Sequence, residues 1–142
     1  MKKTIVAAVI LILVCVLPLL AASPVIDIEL LRQEARTLLV KAGMRWLEID
    51  SNNDGKIDHS MLLSRNGDKV YEEIDMNHDD LMDDLCYYKN GVIIREETDT
   101  NYDGKIDLWV FIREGVYVER YAQDKDFDGV IDITKEYGPG KR

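Results

Sequence analysis

The hydrophobic pattern of the N-terminal third predicts one helix. Apolar residues recur there at three- and four-residue spacing, at Ile28, Leu31, Ala35, Leu38 and Ala42. This spacing places them on one face of a helix, opposite charged and amide side chains. Ser23 and Pro24 supply a start signal and Gly43 a stop signal. The sequence therefore predicts an amphipathic helix within residues 23–43.

Beyond the helix, short apolar runs alternate with turn signals, which is typical of β-hairpins. The runs are His59–Leu63, Leu85–Tyr88, Val92–Arg95, Leu108–Ile112 and Val116–Tyr121. The turns between runs contain Asn66-Gly67, Asn90-Gly91 and Glu114-Gly115. Asn-Gly is a strong hairpin signal because both residues tolerate positive φ.

These elements predict a mainly β fold: an antiparallel β-hairpin repeat meander with a period of 24 or 25 residues and one N-terminal amphipathic helix. The run Leu108–Ile112 is apolar on both faces, so neither face can be freely solvated. We expect the helix to pack on the sheet and cover it. The hairpin domain is predicted to span residues 44–138, followed by a tail at 139–142.

The first 22 residues resemble an export signal. Lys2 and Lys3 precede an apolar run from Ile5 to Leu20, and small residues follow. We expect cleavage near Ser23 and a periplasmic, cell-surface or secreted protein; an uncleaved N-terminal membrane anchor is the alternative. Without the signal, 16 basic residues face 27 acidic ones, for a net charge of −11.

This excess of negative charge makes nucleic acid and anionic membranes unsuitable partners. Cys86 is the one cysteine outside the signal, so no disulfide can form within the predicted exported chain. Two interpretations of Cys86 remain, a reactive or dimerising thiol and a small buried apolar residue in a strand.

Within the hairpin region, four nine-residue acidic segments repeat in phase. These segments, loops 1 to 4, are DSNNDGKID (50–58), DMNHDDLMD (75–83), DTNYDGKID (99–107) and DKDFDGVID (124–132). Acidic or amide side chains occupy positions 1, 3, 5 and 9 of every loop. The apolar residue at position 8 is expected to anchor each loop in the core, through Ile57, Met82, Ile106 and Ile131.

Oxygen ligands at alternate positions are typical of calcium sites, because Ca²⁺ prefers roughly six to eight hard oxygen ligands in flexible geometry. We expect the side chains at positions 1, 3, 5 and 9 and the backbone carbonyl at position 7 to bind the ion. The predicted ligands are Asp50, Asn52, Asp54, Lys56 and Asp58; Asp75, Asn77, Asp79, Leu81 and Asp83; Asp99, Asn101, Asp103, Lys105 and Asp107; and Asp124, Asp126, Asp128, Val130 and Asp132.

The start of each loop resembles an EF-hand, and the whole nine-residue DxDxDGxxD form resembles the calcium loops of integrin-type FG-GAP repeats. An EF-hand closes with Glu at position 12, where this chain has Met61, Cys86, Val110 and Lys135. The shorter form closes with Asp at position 9, as all four loops do. The resemblance implies calcium binding and covers the loops alone, because the chain is too short for a seven-bladed propeller.

Loop 2 is the weakest predicted site because Asp80 replaces the glycine at position 6. Loops 1 and 3 rank highest and loop 4 follows closely. The alternative for any one loop is a metal-free turn, since Asp, Asn and Gly favour turns by themselves. Affinity is expected on the order of 10⁻⁴ to 10⁻³ M, as in extracellular modules.

The sequence contains no nucleophile and base constellation of an enzyme. The two histidines, His59 and His78, are interpreted as exposed loop residues. We expect a calcium-binding exported structural or interaction module that is stabilised by Ca²⁺, with a protein or glycan as a further ligand. The alternative is a calcium-dependent hydrolase or its accessory subunit, which a pocket holding a non-loop carboxylate of strongly raised pKa would favour.

Overall fold

The computed structural model describes residues 28–138. Helix α1 spans Ile28–Lys41, within the segment predicted to be helical. Eight strands follow: β1 Arg45–Ile49, β2 His59–Leu63, β3 Lys69–Ile74, β4 Asp84–Lys89, β5 Val92–Thr98, β6 Leu108–Arg113, β7 Tyr117–Gln123 and β8 Ile133–Glu136. The predicted signal at 1–22 and tail at 139–142 lie outside the described residues.

The eight strands form one antiparallel sheet in which each strand pairs with its neighbours in the chain. This arrangement confirms the predicted mainly β hairpin meander. Strands β1 and β8 are the two edges of an open sheet. The chain divides into two compact units at Met44 and Arg45, so the packing of α1 on the sheet stays a prediction. Among residues 28–138, no helix is long and apolar enough to cross a membrane.

All four loops lie at the same end of the sheet, because each joins an odd-numbered strand to the next even-numbered one. Tight turns join the strands at the opposite end. In the β4–β5 turn, Asn90 and Gly91 have φ of 53° and 75°, which agrees with the Asn-Gly signal. Neighbouring strands are about 4.8 Å apart, so successive loops are about 10 Å apart along the sheet end.

One face of the sheet carries a row of aromatic and arginine side chains that runs across the strands. The rings of Trp46 and Tyr71 are 6.1 Å apart, and those of Tyr71 and Tyr87 are 5.3 Å apart. Arg95 continues the row, 5.5 Å from the Tyr87 ring and 5.1 Å from that of Phe111. Such contacts add to the stability of cross-strand pairs.

Two expectations about side-chain environment need correction. Ile57 and Ile131, at position 8 of the outer loops, are exposed, whereas Met82 and Ile106 of the inner loops are half-buried. The outer loops have a neighbouring loop on one side only, which leaves these residues uncovered. His59 lies in β2 and is half-buried, with Nε2 2.8 Å from Glu72 Oε1.

Candidate metal-binding loops

The aspartate at position 1 organises the backbone of every loop. In loop 3, Asp99 accepts hydrogen bonds from the backbone N–H groups of Tyr102, Asp103 and Gly104 at 2.7, 3.3 and 2.7 Å. Equivalent bonds reach Asp50, Asp75 and Asp124 in the other loops. A carboxylate that accepts several N–H groups holds a tight loop that would otherwise leave those donors unpaired. The loop conformation is therefore encoded by the acid itself.

The aspartate at position 9 closes each loop back onto its start. Asp58 Oδ2 accepts the backbone N–H of Ser51 at 2.7 Å, and Asp83 Oδ2 accepts that of Met76 at 2.7 Å. The same bond occurs at 2.8 Å in loops 3 and 4, to Asp107 and Asp132. The position 9 carboxylate is thus held against the second residue of its own loop.

The side chains at positions 3 and 5 lie close to each other, as the contacts in loops 1 and 4 show. In loop 1, Asn52 Oδ1 accepts the N–H of Asp54 at 2.9 Å, and Asp54 Oδ1 accepts that of Lys56 at 2.9 Å. In loop 4, one carboxylate oxygen from each of Asp124, Asp126 and Asp128 lies within 4.8 Å of the others. Two oxygens bound to one calcium ion at about 2.4 Å can be no further apart than about 4.8 Å. The spacing in loop 4 fits a bound cation.

Asp83 in loop 2 carries a carboxylate oxygen that lacks a hydrogen-bond donor. The residue is 1 % exposed, and among the described residues nothing donates to its buried Oδ1. Burial raises the pKa of Asp83, and the Asp75 and Asp79 carboxylates add to the rise. A buried anionic oxygen without a partner is costly and rare in folded proteins. The other oxygen, Oδ2, accepts the backbone N–H groups of Met76 and Asn77, so the carboxylate that carries the unpaired Oδ1 is fixed against loop 2.

Two positions in each loop adopt positive φ. Position 6 has φ of 76° to 90°, and Asp80 fills it in loop 2 with a geometry close to that of the glycines elsewhere. The remaining positive φ, close to 62°, falls at position 4, on Asn53, His78, Tyr102 and Phe127. A non-glycine residue there is strained by about 1 kcal/mol or more. The position 4 strain was not predicted from sequence, because Tyr and Phe carry no signal for this conformation.

Successive loops are connected through their backbones. Each position 1 N–H donates to the position 9 carbonyl of the preceding loop: Asp75 to Asp58 at 2.7 Å, Asp99 to Asp83 at 2.7 Å and Asp124 to Asp107 at 2.9 Å. Side chains add contacts between loops 1 and 2, where Lys56 pairs with Asp80. His78 Nδ1 also lies 3.2 Å from Asp58 Oδ1. The loops therefore form a continuous row.

The electrostatics differ between loops. Hydrogen bonds from the Ser51 side chain and backbone, together with His78, lower the pKa of Asp58 to about 2, so it is ionised at neutral pH. In loop 4, the charges of Asp128 and Asp132 raise the pKa of Asp126. Like charges held this close repel each other, and a bound cation would remove that repulsion.

Among the described residues, the carboxylates that converge within 4.8 Å are those of Asp124, Asp126 and Asp128 in loop 4. The other predicted side-chain ligands stay a prediction. Loop 2 has the same kinds of backbone hydrogen bond as the other loops, and Asp80 adopts the positive φ that glycine adopts in them. The weaker rank of loop 2 stays a prediction. Sequence reasoning did not single out the hydroxyls of Ser51 and Thr100, which donate to Asp58 and Asp107 at 2.6 and 2.7 Å. A hydroxyl side chain at position 2 was the sequence feature that could have predicted these bonds.

No protein-family model and no curated protein matches this chain. The resemblance of the loops to EF-hand and FG-GAP calcium loops therefore stays a prediction, to be judged by the chemistry of the loops themselves.

Cys86 lies in β4 and is buried. Burial, followed by the nearby Asp84 and Glu96 carboxylates, raises the pKa of this thiol from 9.0 to about 12. The thiol is therefore protonated at neutral pH, and only the thiolate reacts readily. This environment favours the buried apolar role over a reactive one.

We expect native Cys86 to resist alkylation. At pH 8 a pKa of about 12 rather than 9 leaves roughly a thousandfold less thiolate, so iodoacetamide should react at least a thousandfold more slowly than with the urea-unfolded chain. The native rate should rise about tenfold per pH unit from pH 8 to 11, while the unfolded rate levels off above about pH 9. Mass spectrometry of the Cys86 peptide measures both rates; a native rate within tenfold of the unfolded one would contradict the burial.

Proposed function

We propose that loops 1 to 4 bind calcium and that the protein is an exported structural or interaction module whose sheet is stabilised by the bound ions. The observation that carries this proposal is the convergence of the Asp124, Asp126 and Asp128 oxygens within 4.8 Å. Carboxylate, amide and carbonyl oxygens are the ligands that Ca²⁺ prefers, whereas zinc sites favour Cys and His.

The orphaned Asp83 oxygen independently supports a cation in loop 2. A hydrogen-bond donor or a metal ion can satisfy a buried carboxylate oxygen, and the described residues supply no donor. The same loop holds Asp75 and Asp79, whose charges already raise the pKa of Asp83. A divalent cation offsets all three charges at once.

Metal ions also give the sheet a means of stabilisation that disulfides cannot provide. Four Ca²⁺ ions would reduce the net charge of the predicted exported chain from −11 to −3, which relieves most of its self-repulsion. Binding that requires the folded loops contributes directly to the free energy of unfolding. Millimolar calcium outside the cell suits the expected affinity.

The alternative, a calcium-dependent hydrolase, has one observation in its favour. Burial, and then the Glu96 and Glu72 carboxylates, raises the pKa of Asp84 to about 6. A general acid must touch its substrate, yet Asp84 is 7 % exposed and stands beside the buried Cys86 thiol. A structural role for Asp84 in the sheet is the better explanation, and the binding module remains the preferred function.

Asp83→Asn tests the proposal because its effect should depend on calcium. In chelator, the change removes a buried charge, so the free energy of unfolding should equal or exceed that of the native protein. In about 10 mM calcium, the loss of one ligand oxygen should remove one site and lower that free energy by about 1.4 to 2.7 kcal/mol relative to the native protein. Urea denaturation in both buffers gives the comparison, and calorimetric titration counts the ions.

Glu119→Gln is the matched control, because it removes one negative charge from an exposed residue of β7. It should leave the number of bound ions and the effect of calcium unchanged. If Asp83→Asn destabilises the protein equally in chelator and in calcium and binds as many ions as the native protein does, Asp83 has a structural role and is not a calcium ligand.

A further inference from the structure

Both edges of the sheet leave apolar side chains exposed. At the β1 edge, Leu47 and Ile49 are 44 % and 41 % exposed; at the β8 edge, Val130 and Ile131 are 65 % and 51 % exposed. An edge strand also presents unpaired backbone N–H and C=O groups that can pair with another strand. The two edges therefore offer both apolar surface and backbone hydrogen-bonding groups to a partner.

The contact between loops 2 and 3 is an example of what such a partner could bury. Position 7 of loop 2 packs on position 6 of loop 3: a Cβ built on Gly104 would lie 2.9 Å from Leu81 Cδ1, so Leu81 lies against bare backbone. Between loops 1 and 2 the same two positions form an ion pair, Lys56 with Asp80. Nothing among the described residues comes within 4 Å of a Cβ at Gly129, position 6 of loop 4. At the two edges, the corresponding residues are Val130 at position 7 and Gly55 at position 6. Nothing among the described residues comes within 4 Å of a Cβ at Gly55.

The register of the paired strands within the chain predicts how β8 of one molecule would pair with β1 of another. Wherever a tight turn joins two strands, the first residue of the even strand pairs with the last residue of the odd strand. The three examples are His59 with Ile74, Asp84 with Thr98, and Leu108 with Gln123. The same rule places Ile133 of one molecule opposite Ile49 of another. The next pairs would be Thr134 with Glu48, Lys135 with Leu47, and Glu136 with Trp46, so no like charges stand directly opposite.

The row of backbone bonds between loops extends in the same way. In loops 1 to 3, the position 9 carbonyl accepts the position 1 N–H of the next loop. The two ends of this row of bonds are the Asp50 N–H in loop 1 and the Asp132 carbonyl in loop 4. Strand β8 beside the β1 strand of another molecule would place these two groups together. The contact would repeat the geometry already present three times within the chain.

We propose that a second copy of this chain binds through its β1 edge to the β8 edge of the first, head to tail, and continues both the sheet and the row of loops. Val130 then packs on Gly55 of the neighbouring molecule, as Leu81 packs on Gly104 within the chain. A head-to-tail contact of this kind uses different surfaces on the two copies and builds open chains of molecules. The interface follows from the strand edges and stands apart from metal binding.

Cysteine cross-linking tests the arrangement directly, on the full chain as the cell processes it. Ile49→Cys and Ile133→Cys are made as separate proteins; direct cross-strand neighbours have Cβ atoms about 4.5 to 5.5 Å apart, close to disulfide range. Under mild oxidation, the mixture should form a disulfide-linked dimer, and neither protein alone should. Cys86 is buried and protonated and does not compete. A dimer formed by Ile49→Cys alone would mean a symmetric β1–β1 contact and would overturn the proposal.

Sedimentation velocity over a range of concentrations gives a second measurement. At about 0.15 M salt, where distant charges are largely screened, the native protein should sediment faster as its concentration rises. Val130→Lys should shift association to at least tenfold higher concentration. Val116→Lys is the control, because Val116 is also an exposed valine but lies in the β6–β7 turn at the opposite end of the sheet. This variant should behave as the native protein does.

A native protein that stays monomeric at all concentrations, in calcium and in chelator, would overturn the proposed interface. So would equal effects of Val130→Lys and Val116→Lys. Calorimetric titration of the same samples measures calcium binding independently of self-association. Failure of the interface and failure of calcium binding are therefore distinguishable.

Discussion

Calcium at about 10 mM should raise the free energy of unfolding of the chelator-treated protein by about 6 to 11 kcal/mol. A ligand that binds only the folded state stabilises it by RT ln(1 + [L]/Kd). With Kd on the order of 10⁻⁴ to 10⁻³ M, each loop contributes about 1.4 to 2.7 kcal/mol. The four loops together give the full effect if each binds one ion, as the proposal has it; all four share the bond from the position 6 N–H to the position 1 carboxylate. Urea denaturation with and without calcium measures it.

Two controls separate specific binding from general screening of the negative charge. Sodium chloride at matched ionic strength screens exposed charges but cannot replace six or more oxygen ligands around one ion, so its effect should be much smaller. Magnesium requires near-octahedral geometry at shorter distances and keeps its water, so it should also stabilise less than calcium. An equal increase in all three salts would show that the loops respond to charge screening alone.

The hairpin architecture could be predicted from sequence because its local signals agree with one another. Strand β2 has the predicted bounds His59–Leu63, and the Asn90-Gly91 turn has the positive φ that its residues allow. Each loop fixes its own backbone through the acid at position 1, so spacing in the sequence carries over into geometry. Local chemistry thus determines local structure in the loops and turns.

Side-chain burial could not be predicted equally well, because it depends on neighbours that a single repeat does not show. Ile57 and Ile106 occupy the same position in nearly identical loops, yet Ile57 is exposed and Ile106 half-buried. Their difference arises from the place of each loop in the row. Asp83 illustrates the same limit: its sequence position is that of any closing aspartate, and its unpaired buried oxygen is visible only in the folded chain.

Asp99→Ala should be the most damaging single substitution in the loops. Asp99 is 1 % exposed and accepts the backbone N–H groups of Tyr102, Asp103 and Gly104. Each buried donor left without an acceptor costs about 1 to 3 kcal/mol; allowing for water reaching the exposed part of the loop, the total should be about 3 kcal/mol in chelator. In calcium, the lost site should add about 1.4 to 2.7 kcal/mol to the difference from the native protein.

Asp50→Ala provides the matched comparison, because Asp50 accepts the same three bonds in loop 1, from Asn53, Asp54 and Gly55. Asp50 is only half-buried and loop 1 stands at the sheet edge, so water can replace the lost acceptor and the cost in chelator should be about half as large. Urea denaturation of both variants measures the difference. Equal losses of unfolding free energy in chelator would mean that burial does not set the strength of these hydrogen bonds. A larger loss for Asp99→Ala would mean that the inner loops owe part of their stability to the exclusion of water.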